Sequence, residues 1–86
     1  MIRRYRIRDS LGVHARPAAK LVKALASIPG SVVIEYDGRR VNAKSILEVM
    51  SLGIRGGESF ALECEADQID ALDRVDVELL DILSSE

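Results

Sequence analysis

The apolar residues of this chain change their spacing in a fixed order, and that order restricts the fold more than any single residue does. Residues 2–8 alternate, with Tyr5 and Ile7 on one side and Arg4, Arg6 and Arg8 on the other, the pattern of a half-exposed strand. From Ala15 to Ser27 the spacing becomes helical through Ala18, Leu21, Val22 and Leu25. Pro17 fits only the first turn of that helix, where its missing N–H costs nothing, and Pro29-Gly30 ends the segment. Residues 31–37 alternate again, with Val32, Ile34 and Tyr36 together, and Asp37-Gly38 marks a tight hairpin turn. Residues 39–43 return with Val41 and Ala43 in phase. Ser45-Ile46-Leu47-Glu48 has capping-box form and opens a short helix to about Leu52, closed by Gly53. After a Gly56-Gly57 turn, residues 59–66 alternate with Phe60, Leu62 and Cys64 inward. Asp67 is placed to cap a last helix running to about Leu83, with Ile69, Leu72, Leu79 and Leu83 among its apolar positions.

The order β-α-β-β-α-β-α predicts an α+β fold, a two-layer open-faced β-sandwich: a four-stranded antiparallel sheet with three helices on one face. The other face is left to solvent, which accounts for the arginines of the first strand. At 86 residues the chain has room for one domain, residues 1–86, and its core must be aliphatic, since aromatics make up only 3% of it. A net charge of -2 argues against a general nucleic-acid binder. The basic first strand also lacks the paired aromatics on which RNA bases stack. The lone cysteine, Cys64, can form no internal disulfide and reads as a small core residue in a reducing compartment. The N-terminus has no signal-peptide pattern and no apolar run is long enough to enter a membrane, so a cytoplasmic location is expected.

The only histidine lies in Gly12-Val13-His14-Ala15-Arg16-Pro17-Ala18-Ala19. Gly12 permits a sharp turn, and Pro17 puts His14 at or just before the first helical turn. Backbone N–H groups left free there, together with the helix dipole, favour an anion. Arg16, two positions on, supplies planar donors suited to phosphate oxygens. Imidazole is neutral and nucleophilic near pH 7. The combination points to a phosphoryl group carried on His14. A shallow helix end suits a carrier better than a deep pocket, because the group has to be given away. The chain offers no Gly-rich nucleotide loop, no Ser-His-Asp constellation and, with one histidine and one cysteine far apart, no metal site. No cofactor is implied. Phosphate should therefore come from one protein and go to another. Ser45 reads first as an N-cap, but a phosphate there would put negative charge at the rim of an apolar patch drawn from Ile46, Leu47, Val49 and Met50, which cannot all point inward from one short helix.

Two segments resemble those of a known family. Gly12-Val13-His14-Ala15-Arg16-Pro17-Ala18 is similar to the active-site segment of HPr, the histidine-containing phosphocarrier of the bacterial phosphoenolpyruvate-dependent sugar phosphotransferase system. The run Asn42 to Ile54 resembles that family's regulatory-serine segment, and length and element order agree across essentially the whole chain. The resemblance implies that His14 is phosphorylated on its δ nitrogen by enzyme I and passes the group to an enzyme IIA, with Arg16 stabilising it. It implies that Ser45 is the target of an HPr kinase/phosphorylase. It also places Ile46, Leu47 and Met50 in a protein-docking surface, opposite Ala15, Ala19 and Lys23. The chain would be a phosphoryl carrier rather than an enzyme, and a monomer, since a carrier needs transient contacts. Asp9-Ser10-Leu11-Gly12 is closer to the nitrogen-related branch of the family. The alternative is a regulatory module, nitrogen-related or catabolite-controlling, acting through phospho-Ser45 or phospho-His14 without sugar transport.

Overall fold

Tyr5 and Ile7 anchor the layer that everything else packs on. They lie on β1 (Ile2–Ile7), where the half-buried Arg3 and the buried Tyr5 and Ile7 alternate with exposed residues. The computed structural model describes residues 1–86 apart from the side chain of Ile69, so the expected apolar role of Ile69 lies outside the described residues. After β1 come α1 (Ala15–Leu25), β2 (Val33–Tyr36), β3 (Arg39–Asn42), α2 (Ile46–Ser51) and β4 (Ser59–Glu63). A 3-10 turn (Ala66–Gln68) then leads into α3 (Ile69–Glu78), and β5 (Leu83–Ser85) follows. The sheet runs β3-β2-β4-β1-β5 and its pairs are antiparallel. Tyr5, Ile34, Phe60 and Leu62 from the strands meet Leu21, Leu25, Val49, Leu72 and Val75 from the helices in one buried cluster. Tyr5 and Phe60, paired across β1 and β4, stack with ring centroids 5.8 Å apart.

The α+β open-faced sandwich agrees with the sequence reading, but the sheet has five strands rather than four. The predicted last helix stops early. Leu79, Ile82 and Leu83 are all buried and keep helical spacing, yet the amides of Ile82 and Leu83 both donate to the Leu79 carbonyl at 2.9 and 2.8 Å, closing a turn. Beyond it, Leu83, Ser84 and Ser85 pair with Ile7, Arg6 and Tyr5. Without β5 one side of β1 would be an open edge of unpaired backbone groups, a cost that favours a strand over a further helical turn of serines. Asp67 is also not the helix cap: it lies within the 3-10 turn, and the cap position falls to Gln68, whose side chain makes no cap bond. The fourth strand ends at Glu63, although Cys64 is buried as expected.

Local chemistry explains the remaining elements. Asp37 and Gly38 have φ of 51° and 79°, the positive pair a two-residue hairpin turn needs between Tyr36 and Arg39. Ser45 caps α2, its Oγ accepting the Glu48 amide at 3.3 Å. The other half of the capping box is displaced: Glu48 Oε1 accepts the amide of Asn42, not of Ser45. Lys44 donates to the carbonyls of Ile28 and Gly30, tying the end of the α1 connection to the start of α2. On the solvent face, Arg4 and Arg6 meet Glu86, and Arg40 meets Glu35 and Glu63. The acids of α3 take Arg3, with Asp73 and Asp76 each 2.8 Å from its guanidinium.

The loops before α1 and after α2 meet backbone to backbone. Val13 donates to the Ile54 carbonyl at 2.9 Å, and a Cβ added at Gly12 would lie 2.2 Å from that same oxygen. A Cβ on Gly56 would lie 2.4 Å from the Ser10 carbonyl. Gly38 has nearly the same φ as Gly12, 79° against 78°, but nothing within 4 Å of its Cβ position. The pair therefore separates backbone strain from collision. Gly38→Ala is expected to cost about 1–2 kcal/mol, the left-handed penalty alone. Gly12→Ala should cost at least ~1 kcal/mol more, because the Ile54 loop must move, and urea unfolding of the two variants measures the difference.

Candidate functional site

His14 is the N-cap residue of α1, with extended backbone angles (φ -88°, ψ -168°), and its side chain makes no cap bond. The imidazole is thus not spent on its own helix. Ala18 donates to the His14 carbonyl at 3.0 Å, beginning the helix ladder. Pro17 has no N–H, so the free donors of the first turn are the amides of Ala15 and Arg16, neither of which bonds a described residue. No acidic residue sits in that turn to compete with an anion for those donors.

The His14 side chain is 36% exposed and Arg16 68%, whereas Asp9 between them is only 13% exposed. Asp9 Oδ2 lies 3.4 Å from His14 Nε2 and 3.5 Å from an Arg16 guanidinium nitrogen. The first distance is an electrostatic contact rather than a formed hydrogen bond, and Nε2 is buried with no hydrogen-bond partner among the described residues. Nδ1 is not among the buried, partnerless atoms, so it is the ring nitrogen turned to solvent. Asp9 Oδ1 accepts the Leu11 amide at 2.9 Å. That backbone bond, then His14 and Arg16, holds the Asp9 carboxyl below its ordinary range against the opposing effect of burial.

The structure brings His14 and Arg16 together through Asp9. It leaves Ile46, Leu47 and Met50 exposed on α2, with Leu47 81% exposed, while Val49 of the same helix is buried. Helices α1 and α2 pack on each other, and Ala15 and Ala19 of α1 are exposed. Lys23, one turn beyond Ala19, lines a cleft with Lys20, Ala24 and Ser27 against Glu78, Leu79 and Asp81. Ser45 is half-buried at the start of α2. The opposite end of that six-residue helix leads to Ile54, so about 9 Å of helix separates Ser45 from the turn that holds His14. No helix of the described residues is long and apolar enough to cross a membrane.

The residue that sequence reasoning misses at the site is Asp9; its signal is an acid two residues before Leu11 in a turn, the spacing at which a carboxylate takes a backbone amide. Leu11 itself is 77% exposed beside the histidine loop.

An open-faced sandwich that presents a partly exposed imidazole at a helix start has the form of a group-carrier protein. The family described as PTS HPr component phosphorylation site matches residues 2–79, and the chain belongs to the HPr family of the phosphotransferase system. A phosphocarrier role and interaction with enzymes of that system go with membership. Among solved structures, the chain is 34% identical to an HPr from Thermoanaerobacter tengcongensis over 94% of this chain and 88% of that one, with a TM-score of 0.79. It is 27% identical to a histidine-containing phosphocarrier protein of Mycoplasma, covering 94% and 93%, with a TM-score of 0.83. It is 36% identical to Crh, a Bacillus subtilis catabolite repression protein seen as a domain-swapped dimer, covering 86% of each chain with a TM-score of 0.62.

The depressed Asp9 pKa has a testable sign. Such a carboxylate contributes stability above its unfolded pKa near 3.8, and the contribution is lost as pH falls through the lower folded value. The parent should therefore lose its advantage over Asp9→Asn below about pH 4, as read from urea midpoints at neutral and acid pH. A carbon NMR titration should put the Asp9 midpoint below that of a model aspartate.

Proposed function

We propose that His14 accepts a phosphoryl group from enzyme I of the phosphotransferase system and passes it to an enzyme IIA, the whole of residues 1–86 working as one cytoplasmic domain. The observation that carries this reading is the accessible imidazole nitrogen at the N-cap of α1, beside two free backbone amides and the exposed donors of Arg16. An Nδ1 phosphoryl group placed there meets the positive end of the helix dipole and a planar guanidinium. Nothing encloses it, so a partner can reach the phosphorus from outside. The exposed Ile46, Leu47 and Met50, with Ala15 and Ala19, form the docking surface, and Lys23 adds a charge at its α3 side.

Ser45 is the regulatory site in this reading, a substrate for an HPr kinase/phosphorylase. Its hydroxyl serves as a weak cap, accepting the Glu48 amide at 3.3 Å. A phosphate there would keep the favourable helix-end position while placing negative charge next to the apolar docking residues. The likeness to Crh supports a second reading, a regulatory module that serves catabolite control or nitrogen regulation instead of sugar transport.

Incubation with phosphoenolpyruvate and enzyme I should yield an acid-labile, base-stable phosphate, and none on His14→Ala. Arg16→Ala should lose about 1.5–3 kcal/mol of charged hydrogen bonding, roughly a 10- to 100-fold slower uptake with an unchanged fold. Ser45→Ala should cost about 1 kcal/mol in urea unfolding. Ser45→Asp should leave stability near the parent but slow phosphorylation by enzyme I; an undiminished rate removes the inhibitory switch.

A further inference from the structure

We propose that Asp9 is a positioning residue of the carrier site: its carboxylate selects the His14 tautomer whose Nδ1 is the open nucleophile, and it holds Arg16 until a phosphoryl group takes its place. The inference rests on the carrier reading of His14.

A neutral imidazole has one N–H and one lone pair. The buried Nε2 faces Asp9 Oδ2 at 3.4 Å and has no other polar partner among the described residues. A lone pair at Nε2 would be buried and aimed at a negative oxygen. A proton there is attracted to it, and the lone pair then falls on solvent-facing Nδ1. Asp9 cannot easily swing away, because its Oδ1 is bound to the Leu11 amide at 2.9 Å and its carbonyl accepts the Gly12 amide at 2.9 Å. The Gly12 and Gly56 contacts in turn fix this loop against the chain after α2. The carboxylate is thus held by backbone, not by the ring it orients.

The transfer step balances without further groups. The Nδ1 lone pair attacks the phosphorus of the donor, the nitrogen–phosphorus bond forms, and the donor's bond to phosphorus breaks with its electron pair leaving on the donor. The Nε2 proton stays in place, so the ring becomes a phosphoimidazolium facing the Asp9 carboxylate. When an acceptor attacks the phosphorus, the nitrogen–phosphorus pair returns to Nδ1 and the ring is neutral again. Charge formed on the ring in uptake is therefore met by a fixed opposite charge. Arg16, 3.5 Å from the same Oδ2, has a modest partner in Asp9 and a stronger one in a dianionic phosphoryl group, so its guanidinium moves outward when the phosphoryl arrives. Asp9 keeps Arg16 near the site without burying it, which fits its 68% exposure.

Long-range proton–nitrogen NMR of the unphosphorylated chain at alkaline pH reads the tautomer directly. The parent should carry its proton on Nε2. Asp9→Ala should shift toward a mixture and be phosphorylated by enzyme I about tenfold more slowly. Asp9→Asn has a single acceptor oxygen, which the Leu11 amide takes, so its NH2 donors face Nε2 in place of Oδ2. The ring proton should then move toward Nδ1, and the rate should fall at least as far as in Asp9→Ala. A parent that is phosphorylated on His14 but carries its ring proton on Nδ1 overturns the proposal. So does an Asp9→Ala variant with the parent's tautomer and rate, or an Asp9→Asn variant at the parent rate. A parent that takes up no phosphate overturns the carrier reading instead, whatever its tautomer.

Discussion

The contact of backbone with backbone between the 9–12 turn and the 54–57 turn is the constraint on which the site depends. Gly12 and Gly56 let the two turns approach closer than any side chain would allow, with Cβ positions 2.2 Å and 2.4 Å from opposing carbonyls. Val13 bonds Ile54 across the junction, and Gly57 bonds Ile7. One junction thus joins the end of β1, the start of α1, the end of α2 and the approach to β4. Moving it would displace the histidine turn and α2 together.

That junction also explains why a small chain can hold a reactive group at an exposed place. An imidazole on a free helix end would sample many rotamers and lose its entropy on each encounter. Here one ring edge is buried against Asp9, whose position is set by backbone hydrogen bonds, and the opposite edge is open. Rigidity is supplied from below and access from above. Arg16 is arranged differently, with its guanidinium 3.5 Å from Asp9 and its long side chain exposed, an arrangement that suits the proposed role of a donor that follows the phosphoryl group.

The sheet's outer face needs no partner to be stable. Arg4 and Arg6 look from the sequence like part of a basic strand, but both meet Glu86, and Arg40 of β3 likewise meets Glu35 and Glu63. Exposed pairs of this kind add little stability each; their effect is to remove a field that could attract nucleic acid. Most of the uncovered large apolar residues lie elsewhere: Ile46, Leu47 and Met50 on α2, Val77 on α3, Leu80 just after it and Leu11 beside the histidine, while Met1 and Ile2 are uncovered at the start of β1.

Much of this was legible in the sequence, because the signals were local. Period-two spacing in β1, helical spacing in α1, Asp37-Gly38 at the hairpin and Ser45 at a helix start each depend on residues a few positions apart. His14 and Arg16 were legible for the same reason: Pro17 alone places them at the first turn. Whatever depended on a distant segment was not. Leu79 and Leu83 have helical spacing, and only the unpaired edge of β1, some eighty residues earlier, makes the last of them a strand residue. Glu48 has capping-box spacing, but the amide it reaches belongs to Asn42. Asp9 gains its meaning from a ring five residues on that folds back over it, and Gly56 from a turn near the other end of the chain. The sequence by itself determined the kinds of element up to the last helix and placed His14 and Arg16 at a helix start, since propensity and periodicity act over one or two turns. Only the tertiary structure decided which edge is closed, which nitrogen of His14 faces water and which carboxylate faces the other, because those follow from packing between segments that local spacing does not relate.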